Sequence, residues 1–513
     1  MSDVMRNLMV VLFAVGCATG YARGDEPAPV HTTRGLVQGV READAVLYKG
    51  IPIAEPPVGD LRWRAPRPAR QWEGVLATRE YNPQCSQVGP PLPTMPVEPV
   101  SEDCLYLNLW APSIAAKGTK LPVMVYLHGG AFRLGSPSTP LYHGHKLAST
   151  HQVITVNLAY RVGPIGFLVH PELSAESEHK VSGNYGLLDM IAGLRWVRDN
   201  IESFGGDPGN VTIVGQSAGA WAVNKLMISA LARGLFHAAI AQSGGDMGPT
   251  RTAEGMAILR DAEKSGVAFA ATLGANSISE LRRVSAQVIS SARFDGLPQI
   301  PHSNAALPIV DGYVIPDDTY HLYAAGKQAD VPLLIGYNAD EGAHLFRPID
   351  TAEYIAATRR TYGSLADRFL ALYPASTEAE SARSQVRLAA ESNFGWQIWS
   401  WARIHARTSH RKVFFYYFSM ERENGHGAEL PYVFLYEFGG GWSAGQREIG
   451  AKMSKYWTNF AKTGNPNGPG LPSWPAFDPG TGEVMYLGKS FGPGAMPDRA
   501  EHALMDEYMT GLR

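Results

Sequence analysis

The chain has 513 residues, of which 45% are hydrophobic and 18% charged, with a formal net charge of −3. That balance excludes the charge excess of a nucleic-acid binder or of a protein drawn to an anionic membrane surface. There is enough apolar material for a large core, and no solenoid or propeller repeat divides it.

Residues 1–24 read as a targeting segment. Arg6 supplies a positive start, residues 8–16 a short apolar run, and Ala18, Gly20 and Ala22 the small residues of a cleavage region. The run is too short to span a bilayer, so the expectation is a removable leader and a secreted or periplasmic protein. Gly16-Cys17 also resembles the end of a lipoprotein cleavage box. Because Ala14 stands where such boxes prefer leucine, a lipid anchor is the less favoured alternative. Residues 25–513 are expected to fold as one domain. The chain has three cysteines. With Cys17 removed or lipidated, Cys85 and Cys104 remain as a pair in a compartment that permits oxidation. Their bridge would close a Pro-rich loop and stabilise by roughly 3 kcal/mol in the chain-entropy model. No Cys/His cluster has zinc spacing.

Residues 34–39 and 45–53 read as short strands ended by Pro52, Pro56 and Pro57. Residues 61–70 are basic, but the arginines are spread between prolines and apolar residues, which favours a solvated loop over an anion site. Residues 104–110 alternate as a strand does. Residues 121–127 are continuously apolar, as in a sheet covered on both faces, and run into His128-Gly-Gly-Ala-Phe132. Residues 153–158 make another strand. Residues 184–204 read as a helix, with Leu187, Ile191, Leu194, Val197 and Ile201 on one face. Residues 238–241 and 331–336 are further strands. This alternation argues for a largely parallel sheet with helices on both sides.

Residues 211–214 are a buried strand that enters Gly215-Gln-Ser-Ala-Gly219, and residues 221–229 read as the helix that follows. A strand turned into a helix through one serine holds that serine in a strained conformation. Glycines on either side allow the close approach, and Ala218 N–H lies at the positive end of the helix. A serine hydroxyl needs a base, and the base an orienting acid. Of fifteen histidines, His426 follows the apolar strand 413–420 in a glycine-flanked loop. After strand 331–336 come Asp340 and Glu341, between which spacing alone does not choose. The glycine turn at Gly129, Gly130 and Ala131, with Ala218, could present main-chain N–H groups to an oxyanion. Between 341 and 411 the helices have polar faces. There Phe394, Ile398 and Trp401 share one face, which favours core packing over lining a substrate cleft.

The chain resembles the type-B carboxylesterases, the group that includes the cholinesterases. Phe204-Gly-Gly-Asp-Pro-Gly-Asn-Val-Thr-Ile-Val-Gly-Gln-Ser-Ala-Gly219 is similar to the family's serine signature, and Glu102-Asp-Cys-Leu-Tyr-Leu-Asn-Leu109 to its second. Tyr48-Lys-Gly-Ile-Pro-Ile-Ala-Glu-Pro-Pro57 and Gly183-Asn-Tyr-Gly-Leu-Leu-Asp189 match further. The resemblance implies an α/β-hydrolase fold and a serine esterase acting on small-molecule esters without a cofactor or metal. It implies Ser217 as nucleophile, His426 as base and Glu341 as acid, with donors on Gly130, Ala131 and Ala218. Ala131 replaces a glycine found in many members. It also implies the Cys85–Cys104 disulfide and a supporting Ser243 near the acid. Cholinesterases carry a tryptophan within that disulfide loop; residues 86–103 contain none, so choline esters are not the expected substrate. Lipases and amide or lactone hydrolases share the same triad, and adhesion proteins of the family lack the serine. Oligomeric state is not legible.

Overall fold

A computed structural model describes residues 26–89, 99–113, 120–252, 255–292, 307–342, 345–420 and 425–513. The leader, Cys17 and most of the Pro-rich loop lie outside these residues.

The main sheet has eleven strands among the described residues. In chain order they are β1 (Val40–Glu42), β2 (Ala45–Pro52), β3 (Tyr106–Pro112), β4 (Leu121–Leu127), β5 (Ile154–Leu158) and β6 (Gly206–Gln216). Then come β7 (Ala238–Gln242), β8 (Leu333–Asn338), β9 (Val413–Ser419), β10 (Glu483–Gly488) and β11 (Gly492–Ala495). Across the sheet the order is β11-β10-β9-β8-β7-β6-β4-β5-β3-β2-β1. The pairs from β10 to β5 are parallel, and both margins are antiparallel. This is the α/β-hydrolase architecture expected from the sequence.

The helices that position the site are α1 (Tyr185–Asn200), α2 (Ala218–Ile228), α3 (Glu378–Ala390), α4 (Trp396–Thr408), α5 (Ala444–Thr463) and α6 (Arg499–Leu512). Successive strand side chains point to opposite faces. Val123, Val125 and Ile213 accordingly pack with Leu187, Ile191, Val223 and Leu226 of α1 and α2. Their neighbours Met124, Tyr126 and Val214 pack with Met453, Trp457 and Phe460 of α5 on the other side. A strand buried on both faces has no polar position to spare, which explains the unbroken apolar runs.

The structure departs from the sequence reading in a few places. β6 extends back to Gly206, because Gly206 pairs with Leu121 across an irregularity in the ladder. The 34–39 strand is shorter, Leu36–Gln38, and belongs to a separate small sheet with Val30–His31 and Val75–Ala77. Within the basic stretch, Arg64, Arg67 and Arg70 face outward, but Arg62 is buried. Its guanidinium meets Glu102 at 2.5 Å through both Nε and Nη2, and also donates to the carbonyls of Arg282 and Val284. A charge-paired guanidinium has no need of solvent. The disulfide between Cys85 and Cys104 is present.

Candidate active site

Parallel strands deliver their loops to one edge, and ligands bind at their carboxyl ends. Four such ends meet here: β4 runs into His128–Ala131, β6 into Ser217, β8 into Glu341 and β9 towards His426.

Ser217 caps α2 with φ 57° and ψ −125°, a conformation that costs a non-glycine residue energy and is found where function over-determines the backbone. The neighbouring glycines are sterically required. A Cβ on Gly215 would lie 2.2 Å from the Gly219 carbonyl, and one on Gly219 2.0 Å from that of Leu127. Ser217 N–H donates to Gln242 O at 2.9 Å, which ties the turn to β7.

Glu341 is 3% exposed. Its Oε1 accepts the main-chain N–H of Asn338 at 2.7 Å, and its Oε2 lies 2.6 Å from His426 Nδ1. The bond to the carboxylate keeps a proton on Nδ1 and leaves Nε2 as the basic nitrogen. Burial opposes the charged imidazole, but the Glu341 carboxylate outweighs it and holds His426 above the ordinary histidine value. Asp340, left as the alternative by spacing, is exposed, and only its backbone bridges to the histidine loop, at Gly425. His426 Nε2 lies 3.1 Å from the Gln216 side-chain amide. No hydrogen bond joins it to Ser217 Oγ in this conformation, as is common before substrate binds.

His128, at the end of β4, is the other histidine of this region. Burial pushes it down to about 4, so it stays neutral. Its ring stacks on Tyr160 with centroids 4.1 Å apart, and Tyr160 Oη donates to His128 O at 2.6 Å, which anchors the following turn. Gly130, Ala131 and Phe132 take φ of 111°, 54° and 56°. An Ala131 side chain is tolerated because it points outward and is exposed. Among the described residues, the N–H groups of Gly130, Ala131 and Ala218 have no protein acceptor. A Cβ on Gly129 would lie 3.1 Å from Ser217 Cβ, which puts this turn directly against the serine.

Sequence reasoning missed one group near the histidine and read another only as core packing. Glu429, three residues after His426, is fully buried. Its Oε1 accepts from Gln242 Nε2 at 2.9 Å and its Oε2 from Asn338 Nδ2 at 2.6 Å. These donors are neutral, so burial, reinforced by Glu341, pushes the carboxyl up to about 7. A carboxylate followed directly by the apolar run 430–434 was the available signal. Phe394 is the second: its ring lies 4.7 Å from that of His426. Ser243 supports the site through its backbone, with φ 52° and its N–H on Gly336 O at 2.9 Å. Its hydroxyl is buried and makes no bond to Glu341.

A cavity of about 270 Å³ adjoins the site. Phe132, next to Ala131, and Trp221, one helical turn beyond Ser217, form its apolar side with Met256 and Leu307, while Ser392, Asn393 and Gln397 form a polar one. The buried pair Lys225–Asp246, 2.7 Å apart, closes one end. Neither this cavity nor a larger one of about 470 Å³ between residues 63–68 and Tyr313 is lined by Ser217, Glu341 or His426; the smaller one reaches the site through Phe132 and Trp221.

The carboxylesterase family model matches residues 26–503. The chain belongs to the carboxylesterase family. This carboxylesterase is 39% identical over 497 residues to the fumonisin B1 esterase of Sphingopyxis macrogoltabida, covering 92% of this chain and 89% of that one. It is 37% identical over 484 residues to the para-nitrobenzyl esterase of Bacillus subtilis (strain 168), covering 89% and 94%. A solved PNB esterase superposes with a TM-score of 0.80 at 34% identity, covering 93% of this chain and 99% of that one. A thermophilic PNB esterase gives 0.82 at 34% identity, with the same coverage. The enzyme is a serine hydrolase of carboxylic esters. Among the described residues no group of side chains could hold a metal ion, and no helix is long and apolar enough to cross a membrane.

Proposed function

We propose that this esterase works through an acyl-enzyme on Ser217. The observation that carries the reading is the 2.6 Å contact of His426 Nδ1 with the buried Glu341, next to a serine held in a strained strand-to-helix turn. Ser217 Oγ attacks the ester carbonyl while His426 Nε2 takes its proton, once the imidazole exchanges Gln216 for the hydroxyl. Glu341 fixes the tautomer and stabilises the imidazolium. The N–H groups of Gly130, Ala131 and Ala218 receive the oxyanion, each contributing roughly 3 to 4 kcal/mol. His426 then protonates the leaving alcohol. Water, activated by the same nitrogen, attacks the acyl-enzyme and releases the acid.

The half-apolar, half-amide wall of the adjoining cavity suits an ester of moderate size carrying a hydrogen-bonding group, rather than a long alkyl chain. Nothing in the disulfide loop supplies the tryptophan that a quaternary ammonium would need. Export is part of the same reading, and the Cys85–Cys104 bridge supports it, since such bonds persist in oxidising compartments. A panel of p-nitrophenyl esters from acetate to palmitate, with one anilide, tests the assignment. Short and medium acyl esters are expected to turn over fastest. Preference for palmitate, or for the anilide, would overturn the substrate class.

A further inference from the structure

Between α3 and α4 the chain makes a π-helical turn, Glu391–Gly395, in which the N–H of Trp396 reaches back to the Glu391 carbonyl. Such a turn inserts one residue into a helix and is retained mostly where function requires it. Here the turn carries Phe394, whose ring lies against His426, tilted by 41°.

What holds the turn lies on its other side. The Glu391 carboxylate is 6% exposed, and its Oε1 lies 2.5 Å from Nδ1 of His502, a residue of α6. The His502 ring is fully buried. It is stacked on Trp399 with centroids 5.5 Å apart, and its Nε2 lies 3.2 Å from the Tyr337 hydroxyl of β8, the strand that delivers Glu341. Gly395 makes the room: a Cβ there would sit 2.4 Å from Glu391 Oε2. Glu391 and Glu341 also wall one cavity of about 220 Å³. Burial opposes a charged His502, but the Glu391 carboxylate outweighs it and holds the imidazole above its ordinary value.

Burying such a pair is expensive, and well-packed apolar residues often serve stability as well or better. The hydrolytic steps use neither group directly. We propose that Glu391 and His502 are positioning residues for ester hydrolysis: their hydrogen bond fixes the π-turn so that Phe394 keeps the His426 ring where Nε2 can serve Ser217. The proposal rests on the reading of His426 as the base.

The test is a double-mutant cycle on p-nitrophenyl butyrate with Phe394→Leu, His502→Gln and the double variant, with Tm recorded for each. Each single change is expected to lower kcat by between about 10- and 100-fold, with KM changed by less than about threefold. The double variant is expected to fall no further than about threefold below Phe394→Leu, because both changes act on one contact. A His502→Gln enzyme with lowered Tm but wild-type kcat, or losses in kcat that multiply, overturns the proposal. Should His502→Gln not fold, Glu391→Gln takes its place in the same cycle, since the amide keeps the shape and one hydrogen bond. His426→Ala in the same assay separates the two readings. Retained turnover there sinks the triad, whereas full loss there beside wild-type kcat in His502→Gln sinks only the positioning role.

Discussion

Glu429→Gln isolates the consequence of burying a carboxylate among neutral donors. In the folded enzyme the group is held protonated up to about pH 7, against an ordinary 4.5. Below pH 4.5 both folded and unfolded chains carry the proton, and the group contributes nothing to the pH dependence. As pH rises from there, the unfolded chain releases its proton first, so folding loses stability until the folded group also ionises near pH 7. At ~1.4 kcal/mol per pH unit the accumulated penalty is about 3 kcal/mol above pH 7. Glutamine does not titrate and escapes it, at a pH-independent cost of about 1 to 2 kcal/mol, because its one oxygen can accept from Gln242 or from Asn338 while its NH2 faces the other donor. Urea unfolding at pH 5 and pH 8 measures the difference. The stability of the variant relative to wild type should rise by up to about 3 kcal/mol between the two. A relative stability that is equal at both pH values, or that falls at pH 8, would refute the reasoning.

Glu341→Gln should lower kcat by several orders of magnitude, since the wrong imidazole tautomer follows, while Asp340→Asn, exposed and without a role in the triad, should stay within about threefold of wild type. Steady-state kinetics on one p-nitrophenyl ester ranks them, and the reverse order would move the acid to Asp340. Cys85→Ser with Cys104→Ser should lower stability by about 3 kcal/mol, as expected for releasing a loop of 19-residue separation; thermal unfolding under non-reducing conditions reads it, and an unchanged midpoint would contradict the estimate. Gly219→Ala should give no active soluble enzyme, because the added methyl would meet the Leu127 carbonyl at 2.0 Å; wild-type turnover in that variant would show that the elbow has slack.

The fold was legible wherever burial leaves a repeating mark on the chain. Residues 121–127 and 413–418 are apolar throughout because both faces of β4 and β9 are covered. The glycines around Ser217 were legible because only a residue without Cβ fits there. Which of two adjacent carboxylates turns inward was not legible in spacing and came only from the family resemblance, because it depends on where Asn338 N–H points once the strand has ended. The π-turn was invisible for a related reason. Phe394, Ile398 and Trp401 share a face in a regular helix and are all buried, and one inserted residue leaves no trace in that spacing. Buried ion pairs such as Arg161–Asp189, 2.7 Å apart, were hidden too, since a loop residue after β5 and a residue of α1 meet only once the helix has packed on the sheet.

In the proposed mechanism the hydroxyl of Ser217 is the group that carries the acyl chain. Treatment with a fluorophosphonate followed by tryptic digestion and mass mapping tests that claim directly. A single adduct is expected, on Ser217 within peptide 199–225, which forms as esterase activity is lost and does not form in Ser217→Ala or in unfolded protein. Full loss of activity with the adduct on another residue, or an active enzyme that takes no adduct, would contradict it.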